Sequence, residues 1–468
     1  MNINRAISRL IAIFVAAYAL LFARELFVAV VEGPRLAQNP HNPRAALLAP
    51  YRGTIVARDG TVLAQSGPGG RTYPLGAAAA HAVGYASARF GTAGLESAYD
   101  DALSPRAVAN DPLGEIAALF ERRPRPVAIR GATIVTTLDP AVQTALYDAL
   151  AQHDRAAGVA LDPRTGEVLA LASVPSFDPD RLDAIFATLA NATHSPLLDR
   201  ATDGLYPPGS TFKIVTAAAA LDAGVVTLDS TFDDSGSLPV GAFTVHDNEG
   251  EATGSQDLTG AFALSSNVDF AQLALRLGPE RWSEETSRWG FGEAVGFTLP
   301  VARDRVPAAA ELSPGVLAQL GFGQADLLVT PLRMALVAAT VASGGTEPRP
   351  YLVRALRAGG RESTLEVPAP LATPISTETA SQVGGMMVAV VRRGTGTAAA
   401  LPNVEVAGKT GTATNPAGRS HAWFVAYAPA DAPRVAVAIV VENAGYGGDV
   451  AAPIARRVIA AALARVRE

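Results

Sequence analysis

The stretch GVALDPRTGEVLALASVPS, residues 158–176, is two apolar runs separated by Asp162-Pro163-Arg164-Thr165-Gly166. A Pro- and Gly-bearing break between short apolar runs predicts a hairpin. Three more apolar runs stand near the other end of the chain: VEVAGKTGTAT (404–414), AWFVAYAP (422–429) and RVAVAIVVEN (434–443). Between them lie helical patterns at 210–223, 257–277 and 327–343, and a last one at about 450–467. Strands at both ends with helices between them predict an α/β (α+β) fold, an antiparallel sheet covered by helices. The domain so built is expected over residues 153–468.

The chain before it has a different texture. Residues 52–66, RGTIVARDGTVLAQS, alternate around Asp59-Gly60, a type I′ hairpin signal. Residues 94–105, GLESAYDDALSP, predict a short helix ended by proline, and 121–139 is a proline-spaced basic stretch leading into a strand. Asp139-Pro140 then caps a helix to about Gln152. Residues 33–50, rich in Pro, Asn and Arg, read as a linker, so 33–152 is expected to be a linker and a small β-rich domain. Leu10–Ala23 is an unbroken apolar run, extended past Arg24 and Glu25 by Leu26–Val31. The long side chains of Arg24 and Glu25 can reach an interface, so residues 1–32 are expected to be an uncleaved transmembrane signal anchor. Arginines on both sides of the run leave its orientation open.

Composition excludes several classes of function. Net charge is −6, with no basic run to bind nucleic acid. There is no cysteine, hence no disulfide and no thiolate chemistry. The six histidines are far apart and form no HExxH, so no metal site is expected. One bias points to chemistry. Of 38 basic residues only two are lysine, Lys213 and Lys409; the rest are arginine. Arginine supplies charge almost anywhere but does not lose its proton. A lysine kept in such a chain is a candidate for proton transfer.

Both lysines sit in suggestive company. In GLYPPGSTFKIVTA, Ser210 and Lys213 are three residues apart at a helix start and share a face. The free amides and positive dipole end there would stabilise an oxyanion, and a neutral Lys213 could take the Ser210 proton. Alone, S-x-x-K is equally a capping serine beside a surface lysine. In LSSNVDF, Ser265 and Asn267 cannot face one way on a regular helix, but can on a turn leading into one. In AGKTGTA, on a strand, Gly408 and Gly411 would admit a ligand to the backbone, Thr410 and Thr412 share a face, and Lys409 adds positive charge. GKT is also half of a phosphate-binding loop, but Asn403 stands where that loop needs glycine.

The set S-x-x-K, S-x-N, K-T-G, with 55 residues from Ser210 to Ser265 and 142 from Asn267 to Lys409, resembles that of penicillin-binding proteins and serine β-lactamases. Over nearly its whole length the chain resembles a class B penicillin-binding protein, a monofunctional peptidoglycan D,D-transpeptidase, most like the smaller actinobacterial-type members. RGTIVARDGTVLA and GTAGLESAYDDAL resemble the pedestal signatures, and VALDPRTGEVLALASVPSFDPD, GFGQADLLVTPLRMA and AWFVAYAP resemble blocks of the transpeptidase domain.

The resemblance implies a membrane-anchored enzyme with an extracytoplasmic catalytic domain and a small pedestal. It implies peptidoglycan stem peptides ending in D-Ala-D-Ala as substrate and β-lactams as covalent inhibitors. Catalytic roles fall on Ser210 (nucleophile), Lys213 (base), Ser265 (proton relay), Asn267 (orienting the acyl peptide) and Lys409. Lys409, Thr410, Gly411 and Thr412 would bind substrate, the amides of Ser210 and Thr412 would form the oxyanion hole, and no metal or organic cofactor is required. It also implies a partner, a polytopic lipid II polymerase of the shape, elongation, division and sporulation family. Two alternatives stay open at this stage beside a D,D-carboxypeptidase. One is a class D-like β-lactamase, which shares Ser-Thr-Phe-Lys but carries Val at the third position of the second motif. The other is a membrane-anchored β-lactam sensor.

Overall fold

The structure, a computed structural model, describes residues 3–27, 51–104, 106–107, 128–247, 252–415 and 418–464. Helix α1 spans Ile3–Phe27. Its large apolar side chains Leu10, Ile13, Phe14, Leu20 and Phe22 are each at least 60% exposed. Among the described residues no helix is long and apolar enough to cross a membrane.

Residues 51–136 build most of a six-stranded sheet. Its order is Arg361–Thr364, Val353–Ala358, Thr133–Thr136, Ile55–Val56, Val62–Gly67, Gly70–Thr72. Thr133–Thr136 pairs in parallel with Ile55–Val56 on one side and antiparallel with Val353–Ala358 on the other. A hairpin from late in the chain thus completes this sheet. The turn at Asp59-Gly60 is wider than the type I′ turn expected. That turn needs two residues at positive φ, and only Gly60 (φ 88°) has one; Ala57 N–H bonds Thr61 O at 2.8 Å instead. The single helix expected over 94–105 is two short ones, Gly94–Ala98 and Asp100–Leu103. The first buries Glu96 completely; its carboxylate accepts from Arg52 Nε at 2.7 Å and Arg71 Nε at 2.5 Å, which compensates the burial and ties 52–71 to 94–98. Of the basic stretch, residues 121–127 lie outside the described residues, as does the linker 33–50.

The second sheet has five strands: β1 (Ala156–Leu161), β2 (Val168–Val174), β3 (Ala407–Asn415), β4 (Gly418–Ala428) and β5 (Val435–Val441). The order is β2–β1–β5–β4–β3, antiparallel throughout, so the early and late strands of residues 153–468 meet at β1–β5. Helices α2 (Pro140–Leu150), α3 (Lys213–Asp222), α4 (Leu258–Leu264), α5 (Asn267–Leu277), α6 (Pro331–Ala342) and α7 (Gly447–Ala464) pack around it. Val142 and Leu146 of α2 join Val458 and Ile459 of α7 on one face, over Phe424, Val437 and Ile439. Leu336 and Val337 of α6 cover the other face, over Val159, Val425 and Val440. Both faces are therefore dry, and every residue of β1, β2 and β5 is buried. This is the antiparallel sheet covered by helices that the strand and helix pattern predicts.

Two helices differ from expectation in ways that matter for the site. The run 257–277 is broken into α4 and α5 at Ser265–Ser266, and the run 327–343 starts only at Pro331, capped by Thr330.

Candidate active site

The segment before α3 is held on several sides. Trp423 Nε1 of β4 donates to Pro207 O at 3.0 Å, Thr211 Oγ1 to Pro208 O at 2.7 Å, and Gly209 N to Gly323 O at 2.9 Å. Gly209 is left-handed (φ 53°), and a Cβ there would lie 3.1 Å from Ala413 Cα, so the turn rests directly on β3. Ser210 follows in a single 3₁₀ turn, Gly209–Phe212, and Lys213 is the first residue of α3. From Lys213 to Leu221 every α3 residue is buried, as its all-round apolar sequence requires.

The second motif is set by one strained residue. Ser265 ends α4 in the left-handed region (φ 65°, ψ 37°), which costs a side-chain-bearing residue about 1–2 kcal/mol. Ser266 then caps α5, its Oγ accepting from Asp269 N at 3.0 Å. The turn aims Ser265 and Asn267 at one point. Lys213 Nζ donates to Ser265 O at 2.6 Å, to Asn267 Oδ1 at 2.9 Å and to Ser265 Oγ at 3.3 Å. Lys409, from edge strand β3, reaches the same hydroxyl: its Nζ donates to Ser265 Oγ at 2.7 Å and to Thr410 O at 3.2 Å. Each ammonium also lies over an aromatic face, Lys213 over Phe270 at 5.3 Å and Lys409 over Phe262 at 5.6 Å, which offsets part of its desolvation.

Three segments far apart in sequence therefore meet at one hydroxyl, beside the Ser210 turn. The transpeptidase domain profile of the penicillin binding proteins matches residues 156–460, and the penicillin binding protein A dimerisation domain profile matches residues 52–111. The peptidoglycan D,D-transpeptidase PbpA of Mycolicibacterium smegmatis is 34% identical over 500 aligned residues, covering 98% of this chain and 99% of the relative. The chain belongs to the class B penicillin-binding proteins. Two solved structures are similar over 89% of this penicillin-binding protein. One is the D,D-transpeptidase domain of a peptidoglycan glycosyltransferase from Eggerthella lenta (37% identity, TM-score 0.79, 98% of that chain covered). The other is penicillin-binding protein A of Mycobacterium tuberculosis as its ceftriaxone acyl-enzyme complex (34% identity, TM-score 0.80, 99% covered).

Burial pushes Lys213 down to about 7, against the charges of Asp247, Asp269 and Asp234. Lys409 is held well below its ordinary value by burial and then by the charge on Lys213. Two fully buried amines sharing one hydroxyl do not both stay charged, so the pair behaves as one coupled unit.

Other positions need adjustment. Lys213 makes no hydrogen bond to Ser210, whose hydroxyl has no partner among the described residues; its donors are directed to Ser265 and Asn267. Thr410 is buried and its Oγ1 pairs with Thr395 Oγ1 at 2.5 Å, Lys409 is fully buried, and Thr412 is half-buried. The glycines of AGKTG serve packing within the protein. A Cβ on Gly411 would meet Thr211 Cγ2 at 2.9 Å, and one on Gly408 would meet Phe424 Cζ at 2.6 Å. The sequence reading missed the carboxylates of Asp234, Asp247 and Asp269 around Lys213. VHDNEG reads as an ordinary turn, and only the buried lysine's need for counter-charge could have drawn attention to it.

Proposed function

We propose that this protein cross-links peptidoglycan stem peptides through an acyl-enzyme on Ser210 and is acylated by penicillins at the same atom. The observation that carries the residue roles is the convergence of Lys213 and Lys409 on Ser265 Oγ beside the Ser210 turn. Ser210 Oγ attacks the penultimate carbonyl of a stem ending in D-Ala-D-Ala, and its proton passes to Lys213. The C–N bond breaks, and the departing D-alanine amine takes a proton through Ser265. The amine of a second stem then attacks the ester, and Ser210 regains its proton. The Ser210 amide, in the first turn of its helix and so without an intrahelical acceptor, joins that of Thr412 in stabilising the oxyanion.

The coupled lysines give substrate a direct effect on the base. A terminal carboxylate placed against Lys409 and Thr412 raises the proton affinity of Lys409, and the charge then settled there favours neutral Lys213. Strand β3 is the edge of its sheet, so an extended stem can lie along it. Asn267, already oriented by its own contacts, faces the acyl peptide.

Residues 1–32 act as a single-pass anchor with the catalytic domain outside the cytoplasm, residues 33–152 as linker and pedestal, and 153–468 as the transpeptidase domain, with α2 lent to the catalytic sheet and hairpin 353–364 to the pedestal sheet across that boundary. What supports the anchor reading is the apolar run Leu10–Ala23 with its extension Leu26–Val31, and the exposure of Leu10, Phe14 and Phe22 on α1. The partner that fits this arrangement is a lipid II polymerase of the shape, elongation, division and sporulation family in the same membrane.

The test is a synthetic pentapeptide stem ending in D-Ala-D-Ala, incubated with the enzyme and an amine acceptor. Release of D-alanine with a cross-linked product is expected. No turnover of the stem, with rapid hydrolysis of penicillin, would support the β-lactamase reading; no turnover of either would support a sensor.

A further inference from the structure

Beneath the motifs lies a carboxylate that the reaction as written does not use. Asp247 follows the strand Phe243–His246 and is 9% exposed. Its Oδ1 accepts from the amides of Asn267 and, at 3.4 Å, Val268, two of the otherwise unpaired donors of the first turn of α5. Its Oδ2 accepts from Ser266 Oγ at 3.5 Å. Asp247 thus fixes the Asn267 backbone, and the preceding residue holds the Asn267 side chain: His246 O accepts from Asn267 Nδ2 at 3.0 Å. With its amide end held there, Asn267 presents Oδ1 to Lys213 Nζ at 2.9 Å.

We propose that Asp247 is a positioning residue for acyl transfer, acting on Lys213 both through Asn267, whose orientation it fixes, and through its own charge. The inference rests on Lys213 being the proton acceptor. The groups around Asp247 are consistent with it. Asp234, a neighbouring carboxylate, accepts from Gly236 N at 2.7 Å and from Thr253, and these hydrogen bonds hold it below its ordinary value against its burial. Asp269 lies in the first turn of α5, with Gln256 Nε2 at 3.0 Å from its Oδ2. Lys213 and Lys409 are the cations on the other side. Burial and the Asp234 neighbour raise Asp247 to about 6, so at neutral pH it is still largely charged, and among the carboxylates its charge acts most strongly on Lys213. Asp247 thus opposes the burial that frees Lys213 of its proton, and the pH at which acylation switches on reflects the balance.

Asp247→Asn separates the two effects. The amide oxygen still accepts from Asn267 and Val268, while the charge is gone. The second-order acylation rate with a fluorescent penicillin, followed from about pH 5 to 9, should show an acid limb displaced to lower pH by roughly half a unit to one unit. Asp247→Ala removes the hold on Asn267 as well, and should lower the rate roughly 10- to 100-fold across the range. The amide variant keeps the test usable if the alanine variant fails to fold. An Asp247→Asn limb coincident with wild type, or an Asp247→Ala rate equal to wild type, would overturn the inference while leaving Lys213 as base. A wild-type enzyme with no acid limb would contradict the Lys213 reading itself, and the inference with it.

Discussion

Lys213 and Lys409, the two lysines of the chain, donate to a single oxygen, Ser265 Oγ, at 3.3 and 2.7 Å. Their side chains come from a helix start and an edge strand, and both are fully buried. Arginine stands at every other basic position of the sequence. At Lys213 the site needs an amine that can exchange a proton, and at Lys409 a compact cation that fits a closed pocket.

Replacing each by arginine should separate them. Lys213→Arg keeps charge but cannot accept the Ser210 proton, so acylation should fall by ~10²–10⁴. Lys409→Arg keeps a cation for the carboxylate and should lose less of the chemistry. Its pocket is closed, however, so the larger head should lower stability by about 1–3 kcal/mol. Fluorescent-penicillin acylation together with thermal unfolding reads both effects; equal losses of rate per folded enzyme would remove the distinction.

Acylation by wild type should rise with pH through the region of 7. Lys213 is pushed down to about 7, so its neutral, proton-accepting fraction is small below that pH and dominant above it. A rate independent of pH across this region would mean that another group takes the proton.

Much of this was legible in the sequence because its signals are local. The hairpin 158–176, the three late strands and the helix begun at Asp139-Pro140 each stand near their expected places. The turn needed to align Ser265 with Asn267 could be foreseen from geometry, although its left-handed serine could not. What was hidden depends on distant chain. The pairing of 353–358 with 133–136 leaves no local pattern, because register across such a separation is decided by packing. Asp247, Asp234 and Asp269 read as turn and helix polarity until Lys213 is placed beside them. Gly408 and Gly411 read in the sequence as openings to a ligand, while the protein contacts that a Cβ would meet there, Phe424 and Thr211, lie on distant segments.

The backbone and the hydroxyl of Ser265 can be separated by two substitutions. Glycine accepts φ 65° without strain and alanine does not, so Ser265→Gly should be more stable than Ser265→Ala by about 1 kcal/mol. Both lack the Oγ on which the lysines converge, so their acylation rates should fall alike. Denaturant midpoints and labelling rates check this; if the glycine variant regained acylation, the loss would lie in the backbone and not in the hydroxyl.

Arg333, on α6, bridges Asp304 at 2.9 Å and Glu347 at 3.0 Å, with all three side chains buried. Arg333→Met leaves two buried carboxylates without their cation and should destabilise the domain by roughly 3–5 kcal/mol. Thermal unfolding near neutral pH would show it; an unchanged midpoint would mean that the triad contributes nothing net.

Removal of residues 1–32 should give a protein that stays in solution without detergent and still labels with penicillin, since every residue placed in the site lies beyond residue 200. Loss of labelling in a folded truncation would tie the N-terminal segment to the site.

The most direct measurement is the intact mass of wild type and Ser210→Ala during incubation with penicillin. Wild type should gain one penicilloyl adduct that persists and maps to the peptide carrying Ser210, and Ser210→Ala should fold and gain none. A Ser210→Ala protein that still acquires the adduct, or a wild-type adduct that vanishes rapidly as penicilloate accumulates, would contradict the account.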